Sequence, residues 1–211
     1  MIHNLLTAWA GFFPASKIKN AMFRILGYSV HKYAVVHPVL IWNCGNIVLG
    51  NQSKLGVFSV FRDLNHLILE NGAKIGQLNW ISASILLMRE GAPSSLNMHQ
   101  NSVITNRHYI DASGGVTIDK ASALTGVRST LMTHGVSFLT NTQTWKPIFI
   151  AHHNLIGSNS ILVPGVITKP NSVYGMGALI SGISKSANQL ILSEPSRPSR
   201  LLDDQAAFFI L

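Results

Sequence analysis

The chain has 211 residues, 47% of them apolar and only 11% charged, where soluble domains carry about a quarter. Its formal net charge is +8, yet the cations form no dense block and no zinc-finger or RNA-binding signature accompanies them, so nucleic acid is not an expected partner. Cys44 is the single cysteine, which excludes an intrachain disulfide and reads as a small buried hydrophobe.

A mean hydropathy of +0.28 implies apolar surface that sister subunits or a membrane face must cover. No apolar run reaches the roughly 18 residues of a membrane span. The opening MIHNLLTAWAGFFP lacks a basic leader and a small-residue cleavage site, so no signal peptide is expected and a reducing, cytoplasmic setting is.

Residues 1–29 form the first expected unit, one or two short helices broken around Pro14. Leu5, Leu6, Trp9, Phe12 and Phe13, then Ile18, Met22, Ile25 and Leu26, recur at helical spacing, with Lys17, Lys19 and Arg24 among them. Two placements fit. The segment packs on the end or side of the domain, or it lies as an interfacial helix at the inner face of an anionic membrane.

From residue 30 a six-residue beat replaces the helical one. Ile156, Leu162, Thr168, Tyr174 and Ile180 are evenly spaced, and four positions after each come Ser160, Val166, Ser172, Ala178 and Ser184. Earlier the beat runs Leu49, Leu55, Phe61, Leu67, restarts at Leu69, Ile75, Ile81, Leu87, and continues as Ile104, Ile110, Val116, then Ile118, Leu124, Thr130. Such periodicity belongs to a solenoid. Three units make one triangular coil, the large aliphatic pointing inward and the small residue fitting where the corner crowds the interior. The expected fold is mainly β, a left-handed parallel β-helix over residues 30–190, with the helical segment before it and a tail, 191–211, after it. Residues 89–99 break phase and read as a loop; residues 135–147 break it again as a longer excursion.

The stretch ITNRHYIDASGGVTIDKASALTGVRSTLMTH and, after the excursion, IFIAHHNLIGSNSILVPGVITKPNSVYGMGALIS resembles the hexapeptide-repeat acyltransferases. Within them it looks most like the sugar O-acetyltransferases of exopolysaccharide and lipopolysaccharide assembly. The resemblance implies a homotrimer, acetyl-CoA as acyl donor and a saccharide acceptor. It puts the family's catalytic histidine on His134, in the Thr-His pair before the excursion. An alcohol is a poor nucleophile until its proton is leaving, and imidazole, with an ordinary pKa of about 6.5, suits that task at neutral pH.

By the same resemblance Gly175, Gly177 and Ala178 lie in the small-residue stretch that approaches the pantetheine arm of coenzyme A. Lys169 and Arg197 are candidates for its phosphates, or members of a solvated basic face. His108 reads as a polar corner residue, and His152 and His153 as turn residues. The related γ-class carbonic anhydrases bind zinc through histidines five apart plus a third; no histidine here has a partner at that spacing, so no metal is expected. The terminal LILSEPSRPSRLL lacks the family's glycine. Two rival readings stay open: an N-acyltransferase on an amino sugar, and a β-helix scaffold without activity.

Overall fold

Parallel pairing follows from the beat, because each short strand meets its equivalent one coil on. The computed structural model describes residues 1–137 and 141–192. Its strands form three parallel sheets of six, eight and seven strands, the faces of a left-handed β-helix. The first face runs from Ser29–Val30 to Ile148–Ile150, the second from Val35–Val36 to Leu190–Ile191, the third from Leu40–Trp42 to Leu179–Ile180. Inside stands a column of fully buried aliphatics, among them Leu55, Ile75, Ile104, Leu124 and Ile156 on the second face. Each such side chain contributes about 1.5–3 kcal/mol of transfer free energy.

The restarts in the beat have a structural cause. First-face strands such as Asn46–Leu49 and His66–Leu69 bury two residues each, Ile47 with Leu49 and Leu67 with Leu69. That face is longer by one inward residue. Leu49 therefore pairs with Leu69, twenty positions on, whereas Ile156 pairs with Tyr174, eighteen on. The small residues behave as expected: Ser160, Val166, Ser172 and Ala178 are all buried. Corners are turned by single left-handed residues, for which asparagine is well suited, as at Asn159 (φ 56°) and Asn171 (φ 57°).

The chain departs from the expected beat in three places. Leu87 does not fill the prism but sits on a short helix, Ile85–Arg89, that leaves it. Ser95–Met98 is a first-face strand, not loop: Leu96 and Met98 are fully buried and pair with Leu67 and Leu69. The inward residue of the strand Thr130–Leu131 is Leu131, shifted by the extra Gly126 in the preceding corner.

Two helices precede the prism, α1 (Ile2–Phe12) and α2 (Lys17–Ile25), which pack on its first coil. α1 docks by the face opposite to its apolar one, through Thr7, Ala10 and Gly11, and α2 docks through Lys19, Asn20 and Phe23. Gly11 lies so close to Val39 that an added Cβ would stand 2.5 Å from its carbonyl oxygen, and the Gly11 carbonyl accepts from the Val39 N–H at 2.9 Å. Lys19 is fully buried and donates to the carbonyls of Gly11, Phe13 and His37 at 2.7–2.8 Å. It ties the end of α1 to the prism, and burial pulls its pKa down to about 8.

Candidate active site

Both excursions leave from the edge between the third and first faces, two coils apart. The α3 helix (Ile85–Arg89) follows the strand Trp80–Ser82, and an antiparallel hairpin, His134–Ser137 with Thr142–Trp145, follows Thr130–Leu131. Between them lies the corner Asp111–Gly115. It is tied to α3 by Ser84, whose N–H donates to Ser113 Oγ at 2.8 Å, and by Ser94, whose N–H donates to the Ser113 carbonyl at 2.9 Å.

His134 opens the hairpin, opposite Trp145 at its base. Its ring Nδ1 lies 2.8 Å from Asp111 Oδ2, one coil below. The contact is short but poorly aligned: Nδ1 is wholly buried and makes no in-line hydrogen bond. Crowding explains this, because the same oxygen accepts from Thr133 Oγ1 (2.7 Å), Thr133 N–H (2.9 Å) and His134 N–H (3.1 Å). The other oxygen accepts from Ser113 Oγ at 2.6 Å. The side chain of His134 is 28% exposed, and with Nδ1 covered that exposure falls on the rest of the ring.

Burial alone would raise the Asp111 carboxyl pKa, but hydrogen bonds from Ser113, Thr133 and His134 outweigh it and hold the group below the usual carboxylate value. Asp111 is thus an anion at neutral pH. An anion beside Nδ1 favours the tautomer with the proton on that nitrogen, which presents the Nε2 lone pair outward. The arrangement suits proton abstraction from a group docked at the open side of the ring.

Asp111 was not singled out from the sequence, although a signal exists. Ile110 pairs with Leu131, so residues just after these two inward side chains share a corner. Stacking the coils in register brings Asp111 beneath Thr133 and His134; counting hexads does not, because Gly126 shifts the frame.

The other expected site residues lie on different edges. Lys169 is exposed between the first and second faces, with His152 and His153 one coil away. Gly175, Gly177 and Ala178 turn the edge between the second and third faces, Gly177 at φ 73°. Ala178 is buried, its N–H donating to the Gly175 carbonyl and its carbonyl accepting from the Ile161 N–H. Within one chain, therefore, these groups and His134 occupy three separate edges. Arg197 lies outside the described residues. His108 is buried, 2% exposed, at the second–third edge. Its Nδ1 accepts from Ser129 N–H at 3.1 Å and its Nε2 meets Thr105 Oγ1 at 3.0 Å, and burial lowers its pKa to about 4. The Cys44 thiol is buried and pushed up to about 12, an inert group.

No protein-family model and no curated protein matches the sequence. Among solved structures, the chain is similar to the polysialic acid O-acetyltransferase OatWY, at 17% identity over 86% of this chain and 90% of that one, with a TM-score of 0.62. Weaker likenesses are to a hexapeptide-repeat containing acetyltransferase from Vibrio cholerae (20% identity, 52% and 64% covered, TM-score 0.39) and to the N-acyltransferase AntD from Bacillus cereus (14%, 75% and 78%, 0.43). What the first of these similarities establishes is a shared fold.

Proposed function

We propose that the chain is a hexapeptide-repeat acyltransferase that moves the acetyl group of acetyl-CoA to a sugar hydroxyl in surface polysaccharide assembly, with His134 as general base. The observation that carries this reading is the Asp111–His134 pair, set at the foot of a hairpin with one side of the imidazole open. The fold shared with a polysialic acid O-acetyltransferase supports the substrate class.

In this reaction His134 Nε2 takes the proton from the acceptor hydroxyl as its oxygen bonds to the thioester carbonyl carbon. The tetrahedral intermediate collapses, the C–S bond breaks, and the imidazolium returns its proton to the leaving thiolate. Asp111 is a positioning residue: it holds Nδ1 protonated and steadies the transient imidazolium.

The homotrimer that the resemblance implies is compatible with this reading. His134 and the Gly175–Ala178 edge are apart in one chain, so a single acetyl-CoA meets both only between neighbouring copies. The exposed Leu155, Val173 and Leu190 on the second face, and Ile161 and Leu179 on the third, are apolar surface for such contacts. A cytoplasmic location fits a donor that is made there.

The test is acetyl transfer from acetyl-CoA to a hydroxylated saccharide by the parent and by His134→Ala. A fully folded His134→Ala protein that turns over at the parent rate rules out the assigned base. A parent that binds acetyl-CoA in titration but modifies only an amino sugar replaces O-transfer by N-transfer.

A further inference from the structure

The N-terminal helical pair keeps most of its large apolar side chains on the outside. Its prism-facing side holds Thr7, Ala10, Gly11, Lys19 and Asn20, with Phe23 the one large apolar residue buried there. Its outer side shows Leu5, Leu6, Trp9 and Phe12, each 47–59% exposed, with Ile18 at 74% and Ile25 at 85%. A single exposed leucine means little, whereas an apolar face continuous over two helices is a docking surface. The continuity is visible where Leu6 and Trp9 of α1 and Met22 and Ile25 of α2 line one shallow apolar cleft of about 160 Å³.

The surround is cationic. Lys17, Arg24 and Lys32 are exposed, and no acidic residue precedes Asp63. Arg24 and Lys32, with His31, line a wide cleft of about 780 Å³ whose lining holds no carboxylate. Lys19 does not belong to this set, because its ammonium is buried against three carbonyls.

We propose that this helical pair docks the protein on the surface of an anionic phospholipid bilayer. The apolar face enters the interfacial region, and Lys17, Arg24 and Lys32 meet headgroup phosphates. An apolar protein partner would account for the first feature and not the second; an anionic lipid surface accounts for both. With 11 residues, α1 is far short of the roughly 20 needed to cross, so it lies in the membrane plane. The surface is on the first coil, away from His134, and the proposal stands independently of the acyltransferase reading.

The experiment is co-sedimentation of the full chain with phosphatidylcholine vesicles, with and without phosphatidylglycerol, alongside thermal melts and sedimentation of the free protein. Binding is expected on the anionic vesicles and at least tenfold weaker on the neutral ones, with release by salt. Trp9→Glu/Phe12→Glu abolishes it with an unchanged melt, and Lys17→Gln and Lys32→Gln each weaken it about fivefold. The proposal is overturned by a parent that stays in the supernatant, by equal retention on both vesicles, or by unaltered retention of Trp9→Glu/Phe12→Glu. It is also overturned if that double variant dissociates the assembly, which makes the face a subunit contact.

Discussion

Asp111 stands one coil below His134 and turns a single oxygen, Oδ2, to two of its nitrogens, the ring Nδ1 at 2.8 Å and the backbone N–H at 3.1 Å. One atom thereby meets both the backbone and the ring of the histidine. Because the backbone contact does not depend on the imidazole, the architecture of the corner and the chemistry of the ring are separable by mutation.

Replacing His134 by alanine leaves the N–H to Asp111 and the aliphatic column untouched. Turnover is expected to fall by about 10²-fold or more, the contribution of a placed proton acceptor, with acetyl-CoA affinity and melting temperature little changed. Steady-state rates beside calorimetry check this. An early melt would mark the histidine as structural.

Asp111→Asn keeps the shape but removes the anion. Rate is expected to drop by about tenfold or more. A purely structural aspartate would lower the melt and leave the rate of the folded protein unchanged. Stability shows the linked effect. The folded-state pKa of Asp111 is depressed, so its contribution is present above the unfolded value of about 3.9 and is lost as pH falls through the folded one. Acid unfolding of the Asn variant lacks that component.

His108 predicts a second pH dependence with a different window. Its Nδ1 accepts a backbone N–H, so protonation would break that bond, and its folded pKa of about 4 lies below the ordinary 6.5. Between those values the unfolded chain binds the extra proton, and stability therefore rises with pH across the window and is flat above it. The span corresponds to about 3 kcal/mol. Denaturant melts of the parent and of His108→Gln between pH 4 and 7.5 measure it, the variant being expected to lose most of the slope.

Gly11→Ala tests how α1 is held. Its Cβ would meet the Val39 carbonyl oxygen at 2.5 Å, and that backbone cannot swing aside as a flexible side chain can. The helix is expected to lift from the first coil at a cost of about 1–3 kcal/mol. Hydrogen exchange at the Val39 amide, which donates to Gly11, should accelerate well before the prism melts.

The repeat was legible because burial in a β-helix is decided locally: a side chain points inward or outward by its place on a short strand. Leu162, Tyr174 and Ile180, with Ser160 and Ala178 at the corners, declare that pattern without help from distant chain. His134 was put forward by the resemblance of its Thr-His neighbourhood and the excursion after it, and the structure places Asp111 beside it. Asp111 was not legible, because which residues meet between coils depends on the summed length of every corner, and one added glycine or one longer face moves the partner. Nor was the outward turn of Trp9 and Phe12. Helical spacing gives an apolar face, but the close approach of Gly11 to Val39 and the buried ammonium of Lys19 chose which face the prism received. Periodicity is a property of neighbouring residues. Register across coils and the facing of a docked helix are fixed only by contacts made after the chain has closed on itself.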